Sequence, residues 1–438
     1  MKTLSIRNYK GIKDLKIDFD GAGAIFFGEN GTGKSSVLKA VATLFFPVID
    51  LLVPDKNKAI RLSDSDMTQE ALQTELACVI QFDKTRREFK ISRVPSEPVE
   101  LSETYGQLML MPAESLKKKT SVTFRNEIDP VQLELMKGDF IGNFDDHGSY
   151  TPLILYYSAF RLLDSLRGND ENRIYPSDFN IGEEIYYNCL DPNTYFGEFF
   201  AWYCAELAKE EESGLTNKKL DKGRTVICTF LPEISSISLK RHYKQDMLLF
   251  RKKGKDFTIE QLSEGERIII SLIGDIVRRL YTANPHMENP LEADAIIMID
   301  EIELHLHPRW QRHIIHNLRT AFPNVQFLLT THSPQILGEL KDEISLFKFF
   351  RTEQDEVVCE QIESTFGKDS NYILEQFMDT KKENEEISRD LNQLFLHIAA
   401  GNYDQAQILY DSLSSVLTKQ HPELVKAEIL IRRGTFRK

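Results

Sequence analysis

The sequence has few cysteines, and they are not paired. Its five cysteines lie singly along 438 residues, and no C-x-x-C pair occurs. Structural zinc sites and disulfide frameworks need cysteines at close, repeated spacings. The sequence therefore predicts neither, and buried free thiols are expected instead.

Long apolar runs are also missing. No stretch of about 18 uncharged apolar residues occurs, which is the length that a membrane-spanning helix needs. The first ten residues, MKTLSIRNYK, have no apolar core and no small-residue cleavage site of the kind that ends a signal peptide. These absences predict a soluble cytoplasmic protein that does not contact the membrane.

Positive charge is in deficit. Lysine and arginine number 54 against 67 aspartates and glutamates, which gives a net charge of −13. A surface that coats nucleic acid needs a dense field of cations, so the acidic balance disfavours such a surface. Local basic clusters at 117–119, 251–255 and 432–438 leave direct contact with DNA open.

A glycine-rich loop is the strongest motif that is present. The chain reads G-E-N-G-T-G-K-S-S from Gly28 to Ser36 and fits G-x-x-x-x-G-K-[ST] between a predicted strand and a predicted helix. In such a loop the backbone N–H groups face phosphates, Lys34 reaches the β- and γ-phosphates, and the Ser35 hydroxyl binds Mg²⁺. The predicted nucleotide-binding residues are Gly28, Glu29, Asn30, Gly31, Thr32, Gly33, Lys34, Ser35 and Ser36.

An acidic pair follows an apolar strand at 295–299. Two carboxylates at the end of a buried strand would be costly without a cation. Asp300 is therefore a predicted Mg²⁺ ligand, and Glu301 is the predicted general base for an attacking water.

Two further motifs flank that pair. Ser263 and Glu266 form an S-x-x-E capping box around Gly265, at the start of a helix whose apolar residues follow helical spacing. His332 follows the apolar strand at 325–329, at the edge where a parallel sheet presents side chains to a ligand. A lone histidine at a strand end is more often a satisfied structural residue, but His332 lies about 30 residues beyond the acidic pair across one βαβ unit, which favours a role in the site.

Together these motifs resemble the ABC ATPases, and most closely the branch that contains the SMC, RecF and OLD-type heads. The resemblance covers roughly residues 1–340 and includes the E-x-H-L-H-P segment at 303–308. It implies ATP and Mg²⁺ as cofactors, His332 as a γ-phosphate sensor, and a homodimer that sandwiches ATP. In that dimer Ser263, Gly265 and Glu266 of one copy face the nucleotide of the other, and a higher oligomer is left open.

The resemblance implies an α/β head with a mixed RecA-like sheet and an antiparallel N-terminal lobe. The predicted segments are an N-terminal lobe at 1–160, a helical arm insertion with return strands at 161–256, a second lobe at 257–350 and a helical docking tail at 351–438. Glu264 stands where the family usually has glycine. Gln81 and the segment 156–161 are weak candidates for the family's glutamine loop.

A rival interpretation of the acidic segment is a metal-dependent hydrolase. Asp300, Glu301 and Glu303 stand close in sequence to His305 and His307, which would face one side of an extended chain. Ligands from one short segment rarely enclose a metal, and the glycine loop already accounts for the acids.

Three biological roles fit the motifs. The E-x-H-L-H-P form and the compact helical tail resemble the ATPases of the Septu anti-phage systems, which implies a regulator of a separate HNH nuclease. An OLD-like enzyme with its own nuclease domain is disfavoured, because no D-x-D carboxylate pair follows His332. An OLD-like ATPase without that domain and a RecF-like DNA-repair ATPase remain as alternatives.

Overall fold

A computed structural model of the chain describes residues 1–19, 21–53, 60–69, 71–82, 85–96, 124–141, 151–159, 185–190, 196–241, 246–341, 344–378, 385–417 and 421–435. Its contacts divide the chain into two units, Met1–Lys368 and Asp369–Lys438.

The strands are, in chain order, β1 Thr3–Tyr9, β2 Ile12–Asp18, β3 Ala24–Gly28, β4 Thr74–Phe82, β5 Thr85–Pro95, β6 Phe124–Ile128, β7 Leu153–Tyr157, β8 Ile234–Lys240, β9 Met247–Lys252, β10 Lys255–Phe257, β11 Ala295–Ile299, β12 Val325–Thr330, β13 Ser345–Arg351 and β14 Val357–Ile362. The helices are α1 Lys34–Leu52, α2 Pro130–Ile141, α3 Phe196–Ser213, α4 Lys218–Phe230, α5 Glu264–Ala283, α6 Pro308–Ala321, α7 Pro334–Gly338, α8 Ser370–Phe377, α9 Glu385–Ala399, α10 Tyr403–Val416 and α11 Pro422–Thr435.

A six-stranded sheet forms the centre of the first unit, in the order β14-β13-β3-β12-β11-β7. All its pairings are parallel except β13 with the edge strand β14. Every residue of β3, β7, β11 and β12 is buried, as expected for parallel strands that are covered on both faces. The carboxyl ends of these strands therefore meet at one edge, where the motifs lie.

Two antiparallel sheets complete the first unit. One has five strands in the order β2-β1-β4-β5-β6, and the other has three in the order β10-β9-β8. The first confirms the antiparallel N-terminal lobe, and with the central sheet it confirms the predicted α/β head fold.

Helix α1 is longer than its sequence predicts. Pro47 is expected to end it, because proline removes a backbone hydrogen bond, but the helix continues to Leu52 with Pro47 inside. Val48 and Ile49 are fully buried, and their burial offsets the lost bond. This helix is also long and apolar enough to cross a membrane by length and composition, with a mean hydropathy of 1.7, although a core helix passes the same test.

The C-terminal segment differs from its predicted form at its start. Residues 351–438 are expected to be helical, but Val357–Ile362 is strand β14, paired with β13 in the central sheet. The second unit begins at Asp369 and contains helices α8 to α11. Its core joins α9, α10 and α11 through Leu394, Ala406, Leu424 and their neighbours.

Candidate nucleotide site

The glycine loop connects β3 to α1 and curls as the motif requires. Gly31 and Gly33 have φ angles of 77° and 96°, in the left-handed region that favours glycine. Gly33 caps α1, which begins at Lys34 and opens its N-terminus toward the loop. Thr32 is buried, and its hydroxyl donates to the Glu29 carbonyl over 2.8 Å. The loop thus has the form of a phosphate cradle.

Strand β13 holds the other side of this loop. Phe349 pairs with Gly28, and a Cβ atom on Gly28 would lie 2.1 Å from the Phe349 carbonyl oxygen. Arg351 donates to the Gly31 carbonyl through Nε and Nη2, over 3.2 and 3.0 Å. Sequence reasoning missed both contacts, because it placed Arg351 in a helical tail. The alternating aromatic residues of β13 were the signal that could have revealed the strand.

Lys34 lies within the curl of the loop. Its ammonium donates to the carbonyls of Gly28 and Glu29 over 3.0 and 2.6 Å, and the side chain is buried. Burial lowers the pKa of Lys34 to about 8, although Glu301 and Asp300 oppose that shift. A nearby triphosphate would supply the negative charge that a buried ammonium needs.

Asp300 joins the glycine loop to the acidic strand. It follows β11 and is buried, and its Oδ1 accepts from Ser35 Oγ over 2.8 Å and from Thr330 Oγ1 over 2.5 Å. The Thr330 hydroxyl also accepts from the backbone N–H of Glu301 over 2.7 Å. Glu301 has a φ of 46°, a strained value for a non-glycine residue that is characteristic of functional sites. The structure thus brings the loop and the acidic pair together.

His332 lies next to this cluster, and Glu303 holds its backbone. The His332 N–H donates to Glu303 Oε1 over 2.5 Å, and Thr331 Oγ1 donates to Glu303 Oε2 over 2.8 Å. Burial, and secondarily Lys34, lower the pKa of His332 to about 4, so its imidazole is neutral at pH 7. Burial also raises the pKa of Glu303. Sequence reasoning gave Glu303 no role in the nucleotide site, whereas the structure makes it the link between two loops of the site.

The capping-box residues at the start of α5 have different exposures. Ser263 is exposed, and its hydroxyl donates to Glu266 Oε2 over 2.7 Å. Glu266 is buried and accepts from Lys252 Nζ over 2.7 Å. Gly265 is buried too, and a Cβ there would lie 2.5 Å from the His305 carbonyl oxygen. Of these three residues, only Ser263 is exposed enough to contact another molecule.

The two histidines of the E-x-H-L-H-P segment have separate partners. His305 Nδ1 lies 3.6 Å from a Glu264 carboxylate oxygen, and His307 Nδ1 accepts the Arg309 N–H at the start of α6 over 3.2 Å. Within the described residues, no group of three or more histidine, cysteine or acidic side chains is arranged to hold a metal. The geometry does not support the rival hydrolase cluster.

The two glutamine-loop candidates lie at opposite ends of the sheet. Gln81 lines a cavity beside Leu153 and Ala295, the first residues of β7 and β11, and so lies away from the glycine loop. The structure therefore does not place this candidate at the site. Tyr157 ends β7, and its carbonyl accepts the Asp300 N–H over 2.8 Å, so the segment that begins at 156 lies at the correct edge. Residues 160 and 161 of that segment lie outside the described residues.

Comparisons with known proteins agree with this geometry. A family model described as "AAA ATPase domain" matches residues 1–131, and one described as "AAA domain, putative AbiEii toxin, Type IV TA system" matches residues 161–338. The Retron Vc95 probable ATPase of Vibrio cholerae serotype O1 biovar El Tor is 26% identical over 78% of this chain and 72% of its own length.

This chain covers different shares of the length of two further relatives. Septu protein PtuA of Bacillus mycoides (strain KBAB4) is 24% identical over 84% of this chain, which spans 43% of that protein. The DNA replication and repair protein RecF of Rickettsia rickettsii (strain Sheila Smith) is 24% identical over 80% of this chain and 98% of its own length. A solved SMC head bound to the C-winged helix domain of ScpA aligns with 83% of this chain and 97% of its own, at 13% identity and a TM-score of 0.45.

The loop, the acidic strand and these relatives make the chain similar to the ABC-type ATPases of the RecF-like branch. Within that branch the chain resembles PtuA.

Proposed function

We propose that the chain binds ATP with Mg²⁺ and hydrolyses it in a site that two copies complete. The observation that supports this most directly is the 2.8 Å hydrogen bond from Ser35 Oγ to Asp300 Oδ1, which joins the phosphate loop to the acidic strand. Lys34 and His332 stand next to the same cluster, since the charge of Asp300 acts to raise the pKa of each of them.

The oxygen atoms of Ser35 and Asp300 suit Mg²⁺. A hydroxyl and a carboxylate are hard donors, and this ion binds proteins through one or two such groups together with substrate phosphates. When bound, Mg²⁺ would neutralise charge on the phosphates. The Asp300 carboxylate is kept in place for that role by Thr330.

Three side chains would act on the phosphates and the attacking water. Lys34 would exchange its two carbonyl acceptors for phosphate oxygens, which stabilise its charge better. Glu301, held at the strand end, would accept the proton of the attacking water as general base. The neutral His332 would donate one hydrogen bond to the γ-phosphate, in a position that depends on Glu303.

The second copy would contribute Ser263. This residue is exposed at the N-terminus of a 20-residue helix, where the dipole and the free N–H groups attract anions. The buried Gly265 and Glu266 would hold Ser263 in position and would not contact the nucleotide. ATP binding and dimer formation would then be coupled, because each nucleotide lies between two chains.

Two substitutions test the site. Lys34→Ala should remove ATP binding and hydrolysis together, whereas Glu301→Gln should keep ATP binding and slow hydrolysis by about a hundredfold or more. Isothermal titration and phosphate release measure the two steps, and light scattering should show that the Glu301→Gln chain stays dimeric in ATP. Lys39→Ala, on the same helix, serves as the control. Hydrolysis at the parent rate in both variants would contradict the site.

We further propose a defence role, in which the ATPase controls a separate HNH nuclease. The resemblance to a named Septu protein supports the system, and the helical second unit, Asp369–Lys438, would provide the docking surface for the nuclease. The test is co-expression with a small HNH open reading frame beside the gene. Co-purification, together with phage resistance that Lys34→Ala changes, is the expected result. A chain that never retains a nuclease would contradict the partner but not the ATPase.

A RecF-like DNA-repair ATPase is the second candidate, because the chain aligns with 98% of a RecF. One basic cluster does not favour it. Arg251 pairs with Asp256 at 2.8 Å, and Lys252 and Lys253 pair with Glu233 at 3.4 and 3.2 Å. These cations are already neutralised within the chain. The cluster at 117–119 lies outside the described residues, as do residues 436–438.

A further inference from the structure

The turn that joins β13 to β14 lies against the glycine loop. Arg351, the last residue of β13, directs two donors of its guanidinium, Nε and Nη2, at the one carbonyl oxygen of Gly31. The Val357 side chain, at the start of β14, lies 3.5 Å from the position that a Cβ on Gly33 would occupy. The loop is therefore contacted on this side by residues that lie outside its own strand and helix.

The turn fixes the direction of the Arg351 guanidinium. Arg351 Nη1 donates to the carbonyl oxygen of Asp355 over 3.1 Å and to its Oδ1 over 2.9 Å. The Asp355 N–H in turn donates to the Thr352 carbonyl over 2.9 Å. The Asp355 side chain is 82% exposed, so its ion pair with Arg351 contributes little free energy. Its effect is on orientation, because it binds Nη1 and leaves the edge with Nε and Nη2 to the loop.

The acceptor of this fork belongs to the peptide between Gly31 and Thr32. In a trans peptide the C=O and N–H groups point in opposite directions. With its carbonyl toward Arg351, this peptide turns the Thr32 N–H to the other side. In phosphate loops it is the N–H groups that face the phosphates. The contact with Arg351 thus sets the direction of one donor that a phosphate would need.

Lys34 and Arg351 both donate to carbonyls of the loop, but a nucleotide would affect them differently. Lys34 holds the carbonyls of Gly28 and Glu29, and it would leave them to bind phosphate oxygens. Arg351 lies on the carbonyl side of the 31–32 peptide, opposite to its N–H. It can therefore keep its contact while that N–H binds a phosphate.

We propose that Arg351 is a positioning residue for nucleotide binding. It would hold the loop in its phosphate-binding form before the nucleotide arrives and after Lys34 has moved to the phosphates. This role rests on the proposed ATP site. The same N–H would face the phosphates of ATP and of ADP, in the bound state and in the transition state alike. Arg351 would therefore strengthen the binding of both nucleotides and leave the hydrolysis of bound ATP unchanged.

Three variants of the full chain separate orientation from charge. Arg351→Met removes every donor and keeps a long side chain. Arg351→Lys keeps the charge, but an ammonium cannot replace the planar fork that binds Gly31 and Asp355 together. Glu356→Gln is the matched control, since Glu356 belongs to the same turn and its exposed ion pair with Lys13, at 2.9 Å, takes no part in the contact with Gly31. Circular dichroism confirms that each variant is folded.

Nucleotide affinity is measured by isothermal titration with ADP and with a non-hydrolysable ATP analogue. Arg351→Met should raise both dissociation constants about tenfold, which is the contribution of one hydrogen bond of ordinary strength. The KM for ATP should rise with them, and kcat should stay within about twofold of the parent value. Arg351→Lys should bind almost as weakly as Arg351→Met, and Glu356→Gln should bind like the parent.

Hydrogen exchange tests the loop without any nucleotide. In the nucleotide-free chain, the amides of residues 28–36 should exchange faster in Arg351→Met than in the parent and in Glu356→Gln, because the loop opens more readily without the fork. Equal exchange in all three chains would show that Arg351 does not hold the loop.

The outcomes distinguish this role from the ATP site itself. Parent affinity for ADP in Arg351→Met, or full recovery of affinity in Arg351→Lys, would overturn the role of Arg351 and leave the ATP site standing. A lower kcat with unchanged nucleotide affinity would also overturn it, because the residue would then act in the hydrolysis step. A parent chain that binds neither nucleotide would contradict the proposed function, and the role of Arg351 with it.

Discussion

The phosphate loop and the start of helix α5 each combine a serine with a buried charged side chain, but these groups have different partners. Ser35 donates to Asp300 across the sheet, and the buried Lys34 ammonium donates to two backbone carbonyl oxygens. Ser263 instead donates to Glu266, whose charge Lys252 already neutralises. The first region is prepared for a ligand, whereas the second is satisfied within the chain and presents only Ser263 outward.

The pKa values express the same difference. Lys34 has its pKa lowered because its burial is incompletely compensated. At Glu266 burial alone would raise the pKa, but the hydrogen bonds from Lys252 and Ser263 outweigh it and hold the pKa below its usual value. A buried charge without compensation indicates a ligand site, whereas a buried charge that is compensated stabilises the structure around it.

Gly28→Ala should have the largest effect. Its Cβ would lie 2.1 Å from a backbone oxygen of β13, at a φ of 134° that side chains rarely adopt. We expect the free energy of unfolding to fall by about 3 kcal/mol and ATP binding to be lost. Urea unfolding and isothermal titration measure the two. Gly138→Ala is the control, since a Cβ there meets nothing within 4 Å. An unchanged ATP affinity in Gly28→Ala would show that β13 does not hold the loop.

Gly265→Ala should show that the start of α5 and the phosphate loop have different roles. The added methyl would lie 2.5 Å from the His305 carbonyl oxygen and would push the start of α5 away from that loop. We expect a net loss of about 1 kcal/mol in unfolding free energy, because the clash exceeds the gain in helix propensity. ATP should still bind the single chain, while hydrolysis falls. Loss of ATP binding in this variant would mean that the two regions are one site.

The mildest perturbation, which changes no residue, is a change of pH, and we expect ATP binding to depend on it. Lys34 must be charged to bind phosphate, and its pKa of about 8 in the free protein means that the charge is lost as the pH rises through that value. The ATP dissociation constant should therefore rise about tenfold between pH 7.5 and pH 9. Titration calorimetry in matched buffers checks this, with Lys39→Ala following the parent. A constant affinity over this range would mean that Lys34 stays charged.

Much of the site could be predicted from the sequence, because its motifs are local. The loop from Gly28 to Ser36, the Asp300-Glu301 pair and His332 each follow a strand, and parallel strands bring such ends together. The contributions of β13 could not be predicted in this way. Phe349 and Arg351 reach the loop only because β13 inserts beside β3, from more than 300 residues away along the chain.

The contacts that stabilise the capping box could not be predicted from the sequence for the same reason. A serine and a glutamate three residues apart predict a cap, but nothing local shows that Lys252 of another sheet pairs with Glu266. Nor does the sequence show that Gly265 is needed for contact with His305 rather than for exposure to an anion.

Complementation between two inactive chains tests the shared site most directly. Lys34→Ala and Ser263→Arg would be co-expressed with different tags and purified in tandem, so that each dimer contains one of each. In such a dimer one site carries both changes, and the other has an intact Lys34 and an intact Ser263. The account predicts that each variant alone is inactive and that the mixed dimer hydrolyses ATP at about half the parent rate, as the two-fold symmetry requires. A mixed dimer that is as inactive as its parts, or a fully active Ser263→Arg chain, would contradict it.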